Sequence, residues 1–217
     1  MIELPHYTDE RYNPQELPGA LRDELYLLLS RLPNIGIEQS LEQVSDIAMY
    51  AEEPYGYDPF EFTFRLLGKH LKPRAYWKIL RYIYGQSHGL YHCRELVREV
   101  FSAPVPCRYA LMTKAERDYI KTLPNEITIH RAMTVQEFES DANGVSWTLD
   151  YDTAVRFRDE IHTGFTKTPL PKTIKTLTIK KSKAVAYFGG VIDYIEELID
   201  TDYGEYNHAE SEIIYLG

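Results

Sequence analysis

The chain has 217 residues, of which 44% are hydrophobic and 26% charged, and its formal net charge is −9. That composition belongs to a folded chain rather than a disordered one, and the length holds one large or two small domains. The acidic balance argues against a generic grip on nucleic-acid phosphates or on anionic membrane. The nearest approach to a basic patch, Lys172, Lys175, Lys180, Lys181 and Lys183, reads as solvated charge in a loop and along strand edges.

The N-terminal stretch MIELPHYTDERYNP lacks the basic start and apolar core of a signal peptide. No run reaches the ~18 apolar residues of a membrane span. Two cysteines, Cys93 and Cys107, do not make a disulfide framework. A cytoplasmic protein is expected, acting in the producing cell or in a cell that receives it.

The first half reads as helices. Leu21, Leu25, Leu28, Leu29 and Leu32 recur at helical spacing, as do Leu41, Val44, Ala48 and Ala51. Pro73 suits a first helical turn and opens a segment, 73–84, with Tyr76, Ile79, Leu80 and Ile83 on one side. Its several tyrosines are expected to pack in the core with their hydroxyls outward. A further helix over 90–101 gathers Cys93, Leu96, Val97, Val100 and Phe101. SAPVP, residues 102–106, breaks the pattern and marks a boundary region.

The second half changes character. TKAE, from Thr113 to Glu116, is a capping-box pattern that starts a short helix. Strand-like runs follow: ITIHRAM, GVSWTL, KTLTIKK, KAVAYFGG and SEIIYL. Between the second and third lies a helix, DYDTAVRFRDEI, capped by Asp150 or Asp152, with Ala154, Phe157 and Ile161 on one face. The expected class is α+β, a helical domain over 1–108 followed by a compact domain over 109–217.

Three pieces of that second half carry chemistry. Arg131 lies in an otherwise apolar strand, where an unpaired charge is costly. It needs an aspartate or glutamate partner, or a ligand phosphate that its planar fork holds. Ser146 and Thr148 alternate in SWT and so share a strand face, as do Glu210 and Glu212 in ESE. His88, His92 and Cys93 in HGLYHC lack the further ligands that a closed zinc site needs, and no metal is expected. No glycine-rich phosphate loop is present.

An arginine, then Ser-x-Thr, then Glu-x-Glu entering a late strand resembles the ADP-ribosyltransferases of the arginine–serine–glutamate type. The resemblance covers about residues 113 to 217, and it implies a two-sheet fold that binds NAD through side chains and strand edges. It implies that Arg131 grips NAD by its phosphates, with His130 beside it, and that Ser146, supported by Thr148, positions the catalytic glutamate. Glu212 would then stabilise the positive charge built on the sugar as the nicotinamide–ribose bond breaks. Glu210 would orient an acceptor guanidinium and take its proton. Phe165, in HTGFTKTPLPK, is a nicotinamide-stacking candidate, and Tyr203 and Tyr206 are acceptor-recognition candidates.

The chain departs from the family at His130-Arg131-Ala132, where many relatives carry an aromatic, Arg and Gly, and at Trp147, a bulky middle for Ser-x-Thr. The function implied is transfer of ADP-ribose from NAD to a side chain of a target protein, arginine first. The setting implied is a phage or bacterial effector, such as an anti-CRISPR or host-takeover factor, with the helical domain choosing the target or covering the cleft. The alternatives are an NAD glycohydrolase and a non-catalytic inhibitor or adaptor that acts by binding a partner protein.

Overall fold

A computed structural model describes residues 10–87, 89–140, 142–159, 170–189 and 211–217. The chain forms two compact units, Met1–Leu111 and Met112–Gly217. Together they are a mixed α+β protein, with the helices of the first unit and the strands of the second.

In the first unit, α1 (Gly19–Arg31), α2 (Ile37–Glu52), α3 (Pro59–Phe62), α4 (Pro73–Gln86) and α5 (Arg94–Ser102) are the α-helices. A π-helical turn, Thr63–Leu67, continues α3, and a 3₁₀ turn, Leu90–Cys93, leads into α5. The helical stripes meet in one core: Leu21, Leu25, Leu28 and Leu32 against Val44, Ile47 and Ala48, then Phe60, Phe62, Tyr76, Trp77 and Leu80. Leu29 and Leu41, expected on the same stripes, are only half-buried.

One tyrosine of α4 departs from the expected orientation. The Tyr76 hydroxyl is buried and donates to the Val100 carbonyl at 2.9 Å. A buried hydroxyl without a partner is costly, and the last turn of α5 supplies an acceptor at the depth where the ring ends. The Trp77 indole N–H likewise donates to the Pro106 carbonyl at 2.8 Å and ties the 102–106 stretch to α4. Glu61, also buried, accepts from Arg65 (2.7 Å) and from the Tyr12 hydroxyl (3.1 Å), so its carboxylate charge is not left bare.

In the second unit, α6 (Lys114–Thr122) begins at the expected cap. Thr113 Oγ1 accepts from the Glu116 N–H, and Glu116 Oε2 accepts from the Thr113 N–H. The other oxygen of Glu116 accepts from the Gly189 N–H at 2.7 Å, which fastens α6 to the end of β4. The remaining elements are β1 (Glu126–Thr134), α7 (Val135–Ser140), β2 (Ser146–Trp147), α8 (Tyr151–Asp159), β3 (Lys172–Lys180), β4 (Ala184–Phe188) and β5 (Glu212–Tyr215). Asp150 rather than Asp152 caps α8, accepting from both the backbone and the hydroxyl of Thr153.

The strands form two antiparallel sheets, β1 with β3 and β2-β5-β4. β1 and β3 pair without a break from Glu126↔Lys180 to Thr134↔Lys172, and β3 has no other partner among the described strands. Ile127, Ile129, Met133, Trp147, Ile179 and Ile213 form the core of this unit. An isolated bridge, His130↔Thr148, links the sheets, with both backbone hydrogen bonds at 2.8 Å.

The double use of Glu116 sets its rank against its capping partner. Thr113→Ala is expected to lower stability by about 1 kcal/mol, as loss of an N-cap does. Glu116→Ala should cost more, because it frees two backbone N–H groups. Urea denaturation of both variants checks the order.

Candidate active site

The site is built where β2 lies between the arginine strand and the glutamate strand. Ser146 pairs with Ile214 and Trp147 with Ile213, so Ser146 and Glu212 lie diagonally on one face of the sheet. Ser146 Oγ donates to Glu212 Oε1 at 2.5 Å, the short distance of a hydroxyl on a carboxylate. Arg131 Nη1 donates to the Ser146 carbonyl at 2.8 Å. Arginine, serine and glutamate, far apart in sequence, thus form one hydrogen-bonded chain.

Arg131 points to the core face of β1, the face of Ile127, Ile129 and Met133. Its side chain is 19% exposed and is held by Glu137 of α7, 6% exposed, whose Oε1 accepts from Nε at 2.9 Å. The same oxygen accepts from the Gly144 N–H at 2.7 Å. Gly144 lies flat against the guanidinium: a Cβ there would come 2.7 Å from Cζ, so no larger residue fits without displacing Arg131.

Glu137 and Gly144 escaped the sequence reading, although a signal was there. Thr134-Val135-Gln136-Glu137 has the same capping-box form as TKAE, and Thr134 Oγ1 does accept from the Glu137 N–H at 3.1 Å. In a full capping box the glutamate reaches back to the cap residue. Here its carboxylate goes to Arg131 and Gly144 instead.

The other expected site residues divide. Thr148 is buried and accepts from the Asp150 N–H at 3.1 Å, shaping the turn into α8 while its backbone holds His130. His130 lies on the opposite face of β1 from Arg131, hydrogen-bonded to Thr176 at 2.9 Å and edge-on to the Tyr151 ring. It stands apart from the Arg131–Ser146–Glu212 chain. Glu210, Phe165, Tyr203 and Tyr206 lie outside the described residues. Trp147 turns into the core with Ile129 and Ile213, and its indole N–H has no hydrogen-bond partner among the described residues.

In the first unit, ligand atoms of Asp58, His92 and Cys93 lie within 4.8 Å of one another. Each is otherwise engaged: Asp58 caps α3, His92 Nδ1 meets the Gly89 carbonyl, and the Cys93 thiol donates to the Leu90 carbonyl. Burial pushes the thiol up to about 12, so it is protonated at neutral pH. His88 lies outside the described residues.

Comparison with family models, with curated proteins and with solved structures gives no match to this chain.

Two outcomes follow from this geometry. Gly144→Ala should destabilise the protein by about 1–3 kcal/mol, the usual cost of forcing a methyl into a filled space, read by urea denaturation. Iodoacetamide at pH 8 should label Cys107 well before Cys93, since a thiol near 12 is roughly one part in ten thousand thiolate there. Peptide mass mapping over time measures the order.

Proposed function

We propose that the second unit transfers ADP-ribose from NAD to a side chain of a target protein, with arginine the favoured acceptor. The observation that carries this reading is the hydrogen-bonded chain from Arg131 through Ser146 to Glu212. It is supported by the order in which the three residues occur along the sequence, each on its own strand.

In this reading Arg131 holds the dinucleotide by phosphate. The glycosidic bond between the nicotinamide nitrogen and ribose C1′ breaks, its electron pair leaving with nicotinamide, and positive charge develops on the sugar. The Glu212 carboxylate stabilises that charge, most effectively where water is excluded. The short bond from Ser146 fixes one of its oxygens and leaves the other to face the ribose hydroxyl. A nitrogen of the acceptor guanidine then bonds to C1′ and releases a proton, for which Glu210 is the candidate base. Water in place of the acceptor gives a glycohydrolase with the same machinery.

Glu212→Gln keeps the shape of the side chain and its bond to Ser146 but removes the charge. Incubation of the protein with NAD and fractions of bacterial lysate, followed by intact-protein mass spectrometry, is expected to give one ADP-ribose increment on a discrete protein. The increment should fall by at least ~100-fold with Glu212→Gln, the scale on which loss of a transition-state electrostatic contact is felt. NAD loss without any protein increment would replace the transferase by the glycohydrolase. No NAD loss in any fraction, with the protein folded, would rule out both.

A further inference from the structure

The turn before α5 brings together groups that lie far apart in the sequence. Gly89 takes a left-handed conformation (φ 68°), and the 3₁₀ turn that it opens, Leu90–Cys93, carries His92 and Cys93 side by side. Beside them is Asp58, the N-cap of α3, with Pro59 at the first helical position. One ligand atom from each lies within 4.8 Å of the other two: a carboxylate oxygen, an imidazole nitrogen and the Cys93 sulfur. HGLYHC by itself lacks this third ligand, and the start of α3 supplies it.

The hydrogen bonds of the three groups do not use up their ligand atoms. His92 Nδ1 lies 3.1 Å from the Gly89 carbonyl, which can only accept. In the neutral ring Nδ1 therefore carries the proton, and Nε2 is left as a bare lone pair. A backbone carbonyl on the other ring nitrogen is the usual way in which a metal-binding histidine is oriented. Nε2 in turn lies 3.5 Å from Glu61 Oε2, itself an acceptor. Two lone pairs that face one another call for a cation. A proton on Nε2 would serve a single acceptor, whereas a metal ion serves the Asp58 oxygen and the Cys93 sulfur at the same time. Asp58 Oδ1 accepts from the Glu61 N–H at 2.9 Å, and an ionised carboxylate has further lone pairs to give. The Cys93 thiol makes a long contact, 3.5 Å, with the Leu90 carbonyl.

Oxygen, nitrogen and thiolate sulfur together are a donor set that zinc takes. Its bonds of roughly 2.0–2.3 Å set tetrahedral ligand separations at about 3.3–3.6 Å. Side-chain closure by about an ångström is enough to reach them from the present spacing. Cys93 lies in the core, Asp58 is half-buried and the His92 side chain is 53% exposed, so an ion has a way in past the histidine. We propose that Asp58, His92 and Cys93 form a zinc site, with water in the fourth position, that fastens the start of α3 to the turn before α5. As zinc binds, the Cys93 S–H bond breaks, its proton passes to solvent and the sulfur keeps the electron pair that it gives to the metal.

The test is zinc binding by the full-length protein after dialysis against a chelator, read by metal content and by competition with a chromophoric chelator. Cobalt(II) accepts the same ligands and adds an optical readout, the sulfur-to-cobalt charge-transfer band. Asp58→Asn keeps an oxygen for the helix cap, His92→Gln alters an exposed side chain, Cys93→Ala removes the sulfur, and Cys107→Ala is the control. Thermal melts in chelator establish that each variant is folded. The wild type and Cys107→Ala should bind one zinc per chain and melt at a higher temperature with it. Asp58→Asn and His92→Gln should each weaken zinc by at least ~10-fold, since even the outer-shell partners of a ligand are worth that much. Cys93→Ala should lose the charge-transfer band.

No zinc retained by the wild type, or unchanged affinity in Asp58→Asn or His92→Gln, would overturn the site. A charge-transfer band that survives Cys93→Ala would overturn it as well. A histidine that is simply protonated beside Glu61 gives the first of these results. NAD takes no part in the measurements, so the zinc site stands or falls apart from the transferase.

Discussion

Two backbone hydrogen bonds between His130 and Thr148 decide where everything else in the second unit goes. β2 is two residues long, too short to hold a position by itself. Its Ser146–Trp147 half pairs with β5, and the next residue pairs with β1, so a single extended stretch is claimed from both sides. A slip by one residue would exchange the faces of Ser146 and Trp147. It would put a hydroxyl into the isoleucine core and an indole against Glu212. Trp147, which looked like an intrusion in Ser-x-Thr, is the side chain that makes such a slip prohibitive.

Arg131 illustrates a different constraint. An arginine on a core face has to be paired, and a buried pair is not in itself a gain in stability, because both ions give up water. The structure meets the cost with a carboxylate from a six-residue helix, a backbone carbonyl and a glycine that leaves room for the flat guanidinium. The return is orientation: a side chain with many rotamers is held in one. Ser146 receives similar treatment, its carbonyl bound by Arg131 and its hydroxyl committed to Glu212.

What the sequence made legible was local. The capping box at Thr113, Pro73 at a helix start, alternation along β1 and the apolar run of β5 each have a short-range cause, and each element formed at its expected place. The failures share a non-local origin. The hydroxyl of Tyr76 turns inward because α5 brings a carbonyl to it, which no spacing within α4 reveals. α7 was missed because its start overlaps the end of a strand, where alternation hid a second capping pattern. Arg131 was known to need a partner, but Glu137 became visible only once α7 was in place. The separation of His130 from Arg131 follows from strand alternation alone, and adjacency in sequence concealed it.

β3 pairs on one side only among the described strands, and it is nine residues long and nearly straight in register. A strand of that length, with one row of N–H and C=O groups unpaired among the described strands, is a template for another extended chain, including a second copy of itself. Its sequence, KTIKTLTIK, places lysines at both ends and in the middle, with threonines between. Two such edges brought together would set ammonium groups against one another before a ladder could close. Lys175, near the middle of the strand, therefore belongs with Lys172 and Lys180 to a barrier against aggregation.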